Sequence, residues 1–223
     1  MANTAKGEET RQRIITCARF LFYEQGYSET SLRQISEKAG TNIGLMNYYF
    51  SSKAGIAMLI YSDIRASFDA LLKQYEPDLE REEFFILSSA IELYLALECK
   101  PFGKFYCTLS AEPQFHENVS QTILSTVERH SDQYADKNLA KLNCMGTMAI
   151  KPALVMQSGM EGFDIPHRTI IEYYMTMQLQ MLSMGPEKAK EYLRIMEKYY
   201  YNLAPGFTPI MAPLYSKTYS IGE

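Results

Sequence analysis

Apolar residues recur at helical spacing along most of the chain, and no segment shows a convincing alternation of apolar and polar positions. This pattern predicts an all-α fold. Long helices are predicted over residues 9–25, 53–75, 82–98, 117–137, 140–160, 166–184 and 186–201, with a shorter one within 102–116. Residues 1–8 are expected to form a polar arm, residues 101–103 a break in the chain, and Pro152 a kink or interruption of its helix.

The segment 30–53 predicts two further short helices joined by a tight turn. Thr30 or Ser31 supplies a side-chain cap for the first helix, and Gly40 ends it, since glycine tolerates the left-handed conformation that turns a chain out of a helix. Helix, turn and helix together form a motif that many proteins use to bind DNA.

The second of these helices has one apolar side and one side of a different character. Met46 and Phe50 share the side that faces the core. The opposite side carries Gly44, Leu45, Asn47 and Tyr48. In a major groove the glycine permits close approach, the asparagine and tyrosine offer hydrogen bonds, and the leucine fits a thymine methyl group.

Residues beside this helix are placed to contact the phosphate backbone. Tyr49 and Lys53 flank its exposed side, and Arg33 lies on the preceding helix. The candidate DNA-contacting residues are therefore Arg33, Asn42, Gly44, Leu45, Asn47, Tyr48, Tyr49 and Lys53.

A family resemblance rests on several spaced positions in this part of the chain: Gly26-Tyr27, Thr30, Ile35, Ala39-Gly40, Gly44, Tyr49-Phe50 and Ser52-Lys53. At this spacing they resemble the N-terminal domain of TetR-type transcriptional regulators. The resemblance covers about the first quarter of the chain. It implies a three-helix DNA-binding domain, a larger helical domain that binds a small molecule, and a homodimer. Leu45, Asn47 and Tyr48 depart from the usual family residues, which affects the expected operator sequence rather than the fold.

The domain boundaries follow from these elements. We expect a DNA-binding domain at 9–52, a ligand-binding and dimerisation domain at 53–203 with 53–75 as the linking helix, and a proline-containing tail at 204–223. A dimer also suits the chemistry, because two copies of the motif about 34 to 36 Å apart contact successive major grooves. The expected partner is therefore double-stranded DNA with an inverted-repeat operator.

The larger domain is rich in methionine and aromatic residues, which suit a small, largely apolar effector. Ordinary core packing remains the alternative for each of them. The candidate ligand-binding residues are Phe102, Phe105, Tyr106, Met156, Met160, Tyr173 and Met177. In the resembling family two late helices pair between subunits, which here implies 143–160 and 166–184, with Met148, Ile170, Tyr174 and Met181 at the interface.

Charge is distributed unevenly along the chain. The whole sequence carries a net charge of −4, yet residues 1–60 hold seven Lys or Arg against five Glu. This slight basic excess permits phosphate contacts by the N-terminal domain, while the acidic remainder disfavours non-specific contact with DNA.

Other functions find little support in the sequence. No phosphate loop, nucleophile motif or metal-ligand spacing is present, so we expect no enzyme activity, no cofactor and no metal. The polar N-terminus and the lack of a long apolar run predict a cytoplasmic protein without a membrane partner. Two alternatives stay open: a redox-sensing regulator that uses Cys99 and Cys107, and an interaction module that does not bind DNA.

Overall fold

The computed structural model describes residues 2–79, 81–129 and 136–181, together with 187, 190–192 and 194–195. Within these residues it contains helices and no strand, which confirms the all-α prediction. The helices are α1 (Ala2–Glu24), α2 (Leu32–Lys38), α3 (Ile43–Tyr49), α4 (Lys53–Tyr75), α5 (Arg81–Glu98), α6 (Lys100–Leu109), α7 (Pro113–Arg129), α8 (Lys137–Ser158) and α9 (His167–Met181). Most of the predicted 186–201 helix and the whole 204–223 tail lie outside the described residues.

The N-terminal residues are helical, so the prediction of a polar arm at 1–8 was wrong for the described part of that segment. Helix α1 begins at Ala2 because nothing in this stretch breaks a helix and its polar side chains pair along the helix. Glu8 accepts hydrogen bonds from Gln12 and Arg11, which lie four and three residues later.

The predicted break at residues 101–103 is instead the beginning of α6. Pro101 lies in the first turn of this helix, where a missing N–H has no cost. Gly103 allows α6 to approach α5 closely, since a Cβ atom at this position would lie 2.3 Å from the carbonyl oxygen of Ala96. Pro101 and Gly103 therefore belong to α6 rather than to a loop, and Gly103 lies where α6 contacts α5.

Helix α8 continues through Pro152 without ending there. Proline cannot donate the hydrogen bond that would normally reach the carbonyl oxygen of Met148, four residues earlier. The carbonyl of Pro152 itself accepts from the thiol of Cys107 on α6 at 3.6 Å.

The packing places α5 at the centre of the larger helical part. It contacts α4, α6, α8 and α9, while α1 packs against α2, α4 and α6. Among the described residues, α4 and α6 therefore pack extensively both on α1 and on the larger part. Among the described helices, none has the length and apolar character that crossing a membrane would require.

Candidate DNA-binding surface and effector cavity

Local hydrogen bonds hold the two short helices in place. Ser31 and Gln34 form a reciprocal capping box at the start of α2, and Gly40 follows the helix with a φ of +59°. Asn42 caps α3, with its side-chain oxygen accepting from the backbone N–H of Leu45 at 2.9 Å. A Cβ atom at Gly44 would lie 3.1 Å from that oxygen, so glycine here also leaves room for the cap.

Helix α3 has the two sides that its sequence predicts. Met46 is fully buried and anchors the helix to the core formed with α1 and α2. On the other side Asn47 is exposed, Leu45 is 37% exposed and Tyr48 is 80% exposed. Ile43, at 49% exposure, adds to the exposed apolar surface of this short helix, and a cluster of such residues is suited to a partner.

Two of the candidate phosphate contacts already have partners within the chain. The Lys53 ammonium donates to the carbonyl oxygens of Tyr27 and Thr30, both at 2.9 Å, and burial lowers its pKa. Its third N–H is the donor left for a phosphate. Tyr49 is half-buried beside Gly7 on α1, whereas Arg33 is exposed and pairs with Glu37 at 2.8 Å. The DNA contacts of all eight candidates stay predictions.

A cavity of about 210 Å³ lies inside the larger helical part. Helices α4 to α9 all contribute to its wall. The lining residues are Tyr61, Arg65, Phe85, Ser89, Glu92, Tyr106, Phe115, Val119, Thr147, Met148, Lys151, Tyr174 and Gln178. Of the predicted ligand-binding residues, this wall includes Tyr106.

A buried charge network forms one side of the cavity. The carboxylate of Glu92 is 2% exposed and contacts the Lys151 ammonium, accepts from the Tyr61 hydroxyl, and lies 3.5 Å from Arg65. Burial opposes ionisation of Glu92, but the charges of Lys151 and Arg65 outweigh it and lower the pKa to about 2. Burial, with the neighbouring carboxylate, raises the pKa of Tyr61, which therefore stays a hydrogen-bond donor.

A second polar group on the wall lacks a complete set of partners. The Ser89 and Tyr174 hydroxyls lie 3.0 Å apart, and the Gln178 amide nitrogen donates to Ser89 at 3.3 Å. The amide oxygen of Gln178 is buried and has no hydrogen-bond partner. A buried acceptor without a donor is costly.

The other predicted ligand-binding residues lie away from this cavity, and their role stays a prediction. Met156, Met160 and Tyr173 are exposed and are not on the wall of this cavity, while Met177 is partly buried against the core. Phe102 and Phe105 line a different crevice of about 30 Å³, which has room for about one water.

The predicted interface residues lie mainly inside the subunit, and their role at an interface stays a prediction. Ile170 and Tyr174 are buried, at 3% and 1% exposure. Tyr174 and Met148 line the cavity instead. The side chain of Met181 lies outside the described residues. Adjacent residues of a helix point to different sides, so Tyr173 is exposed while Tyr174 is buried. The sequence alone did not determine which side of α9 faces the core.

Helix α6, which lines the cavity, and the turn after it contact the N-terminal part of the chain. Phe105, next to the cavity residue Tyr106, stacks on Phe22 of α1 at 5.7 Å. The hydroxyl of Tyr27 donates to Glu112 beyond α6 at 2.8 Å, and burial together with this carboxylate raises the pKa of Tyr27. The turn that precedes α2 is thus hydrogen-bonded to the turn between α6 and α7.

The cysteines are poorly suited to redox sensing. Burial raises the pKa of Cys99, and raises that of Cys107 to about 11, so the reactive thiolate is scarce near neutral pH. The two residues lie at the start and near the end of α6, roughly 12 Å apart along its axis, which exceeds the reach of a disulfide. These features disfavour the redox alternative.

The N-terminal part of the chain is similar to a known protein family. A family profile described as bacterial regulatory proteins, tetR family, matches residues 14–58. The HTH-type transcriptional regulator SrpR of Pseudomonas putida is 35% identical over 121 residues, which cover 52% of this chain and 55% of SrpR. The match thus spans about half the length of that relative. TtgW, also of Pseudomonas putida and described as an uncharacterized HTH-type transcriptional regulator, is 32% identical over 121 residues, 52% of this chain and 88% of TtgW.

Solved structures share the fold over most of the chain. RolR in complex with resorcinol has a TM-score of 0.61 at 21% identity, covering 85% of this chain and 95% of RolR. A putative TetR-family regulator from Syntrophomonas wolfei has a TM-score of 0.56 at 20% identity, covering 80% of this chain and 97% of the other.

Proposed function

Because the chain belongs to the TetR family and is a DNA-binding transcriptional regulator rather than an enzyme, we propose that it is a repressor that binds an inverted-repeat operator as a homodimer. The observation that carries this proposal is the exposed side of α3, where Tyr48 stands in solvent while Met46 fixes the helix to the core. In this reading the protein acts in the cytoplasm.

The chain divides by role in this proposal. Residues 9–52 form the DNA-binding domain, 53–203 the effector-binding and dimerisation domain with 53–75 as its linking helix, and 204–223 a tail. Met156 on α8, Met160 just after α8 and Tyr173 on α9 are each exposed, and we propose that they form one apolar surface. This surface, rather than Ile170 and Tyr174, is our candidate for the contact between subunits.

A small effector in the 210 Å³ cavity is proposed to release the protein from DNA. Tyr61 on α4 and Tyr106 on α6 both line the cavity, and both helices pack against α1. An effector that displaces either helix changes the separation of the two α3 helices in the dimer. A coupling of roughly 1 to 3 kcal/mol changes DNA affinity about 5- to 150-fold. An effector that instead tightens DNA binding would act through the same two helices, α4 and α6.

Selection of duplexes from a random-sequence pool by the purified full chain tests the proposal. We expect enriched sequences with two inverted half-sites whose centres lie about 10 to 10.5 base pairs, or a multiple of this, apart. Enrichment of a single half-site would reject the dimeric reading. A pool that shows no enrichment would reject sequence-specific binding altogether.

A further inference from the structure

We propose that Asn47 of α3 recognises one adenine in each half-site of the operator, through two hydrogen bonds to the edge of the base that faces the major groove. This inference rests on the proposed function, in which the exposed side of α3 contacts the operator. It names the base on which operator selectivity depends and the side chain that selects it.

The exposed side of α3 carries few groups that can form a hydrogen bond. None of the seven residues of the helix is a lysine or an arginine. The exposed residues are Ile43, Gly44, Leu45, Asn47 and Tyr48. Only the last two have polar side chains, so any side-chain hydrogen bond from this surface of α3 to a base comes from Asn47 or Tyr48.

The ring of Tyr48 is held to one flank of the helix. It makes an edge contact with the ring of Tyr49 at a centroid distance of 5.1 Å, and Tyr49 lies 6.3 Å from the buried ring of Phe50. Residues two positions apart in a helix point to nearly opposite sides, so Asn47 points away from Tyr49. A single hydroxyl at this flank can contact DNA, but it both donates and accepts, so it does not by itself distinguish one base from another.

The amide of Asn47 is free to bind a base. It is exposed and makes no hydrogen bond within the described part of the chain. The amide of Asn42 differs, because its oxygen already accepts from the backbone N–H of Leu45 at 2.9 Å. Gly44 lies three residues before Asn47, on the same side of the helix, and has no side chain to hold the helix away from the DNA. The short side chain of Asn47 can therefore reach the edge of a base.

The chemistry of an amide matches one base. The side chain of Asn47 presents a donor and an acceptor next to each other. In the major groove adenine presents the complementary pair, the N7 acceptor and the N6 donor. Guanine presents two acceptors, which suit arginine or lysine, while cytosine presents a donor and thymine an acceptor beside a methyl group. Because adenine alone can both donate to and accept from one amide, we expect Asn47 to select adenine.

Selection of duplexes from one random pool, with the original full chain and with Asn47→Ala, locates the base. We expect the enriched half-sites of the two proteins to differ at one position, where the original protein selects adenine and the variant shows no preference. Replacing this adenine by guanine is expected to weaken binding by the original protein about tenfold, as for a good contact that uses two hydrogen bonds.

Two modified adenines test the two hydrogen bonds separately, and both still pair with thymine. 7-Deazaadenine lacks the N7 acceptor, and N6-methyladenine carries a methyl group in place of the N–H that faces the major groove. Each is expected to lower the affinity of the original protein about three- to tenfold, measured by fluorescence anisotropy at a fixed salt concentration. Asn47→Ala is expected to bind the modified and unmodified operators equally.

Asn138→Ala is the matched control, because Asn138 is an exposed asparagine on α8 in the larger part of the chain. This variant is expected to keep the full effect of both modified adenines. Equal affinity of the original protein for all three operators would overturn the inference, and so would an effect in Asn47→Ala as large as in the original protein. A half-site whose Asn47-dependent base is guanine, cytosine or thymine would also overturn it.

The selection separates this inference from the proposed function. Enriched operators in which no adenine depends on Asn47 overturn the choice of base and leave the regulator intact. A pool without any enrichment overturns both, because sequence-specific binding is then absent.

Discussion

At the scale of single residues, Glu92 determines the character of the cavity. It is a carboxylate within a buried apolar helix, and it stays ionised because Lys151 and Arg65 lie beside it. A buried ion pair of this kind contributes little net stability compared with apolar packing, but the loss of one partner leaves the others as uncompensated charges. Glu92 therefore balances the charges of Lys151 and Arg65 beside the cavity.

The pH dependence of unfolding tests this view of Glu92. Its folded pKa is about 2, below the ordinary value of 4.5, so its ionised form stabilises the fold above about pH 4.5. That contribution is lost as the pH falls from 4.5 towards 2. Glu92→Gln is expected to lower the free energy of unfolding by about 3 kcal/mol at pH 7. In this variant the free energy of unfolding should also decrease less between pH 4.5 and 3 than in the original protein.

Urea denaturation at several pH values measures this. Glu37→Gln provides the control, because Glu37 pairs with Arg33 on the exposed surface of α2, where such pairs contribute about 0 to 1 kcal/mol. Parallel curves for the original protein and Glu92→Gln would contradict the assignment.

At the scale of helices, α6 is the element that contacts the cavity, α1 and α5 within a few residues. It presents Tyr106 to the cavity, stacks Phe105 on α1, and approaches α5 closely at Gly103. These contacts lie within five residues, so a small displacement of α6 acts on the cavity and the N-terminal helices together.

Gly103→Ala tests the close approach of α6 to α5. The added methyl group would lie 2.3 Å from the carbonyl oxygen of Ala96, so the helices must separate. We expect the free energy of unfolding to fall by about 1 to 3 kcal/mol, despite the better helix propensity of alanine. Gly55→Ala on α4 is the matched control, since its nearest contacts are ordinary at 3.6 Å. A thermal midpoint that falls equally in both variants would contradict the packing argument.

Much of this helical layout was available from the sequence, because the signals involved are local. The bounds of α4 agree with the predicted 53–75, since Ser52 caps its start and Pro77 follows its end. The beginning of α6 was missed, although proline in a first turn is itself a helix signal. Glu92 and Lys151 were also missed. A carboxylate within the apolar run 86–97 was the available clue, but its partner lies 59 residues away and only the packing brings them together.

At the scale of the molecule, the N-terminal part and the larger part are joined by packing of α1 on α4 and α6 and by specific hydrogen bonds. The hydrogen bond from Tyr27 to Glu112 crosses this junction, and Lys53 holds the carbonyl of the same tyrosine. In the proposed mechanism, an effector in the cavity would act on α3 through these contacts.

A double-mutant cycle on Tyr27→Phe and Glu112→Gln tests whether this bond couples the two parts. Hydrogen bonds to charged groups contribute roughly 1.5 to 3 kcal/mol, and part of this is expected as interaction energy between the two substitutions. Urea unfolding of the two single variants and the double variant gives that energy. Strictly additive effects would show that the bond carries no coupling.

The affinity of the full chain for its selected operator tests the central claim most directly, when it is measured by fluorescence anisotropy at a fixed salt concentration. Asn47→Ala and Tyr48→Ala remove the two most exposed polar side chains of α3, and Tyr75→Ala removes an exposed tyrosine at the far end of α4. We predict at least a tenfold loss of operator affinity for each α3 variant and no change for Tyr75→Ala, because each good base contact contributes about 1 to 3 kcal/mol. Unchanged operator affinity in both α3 variants would contradict the account.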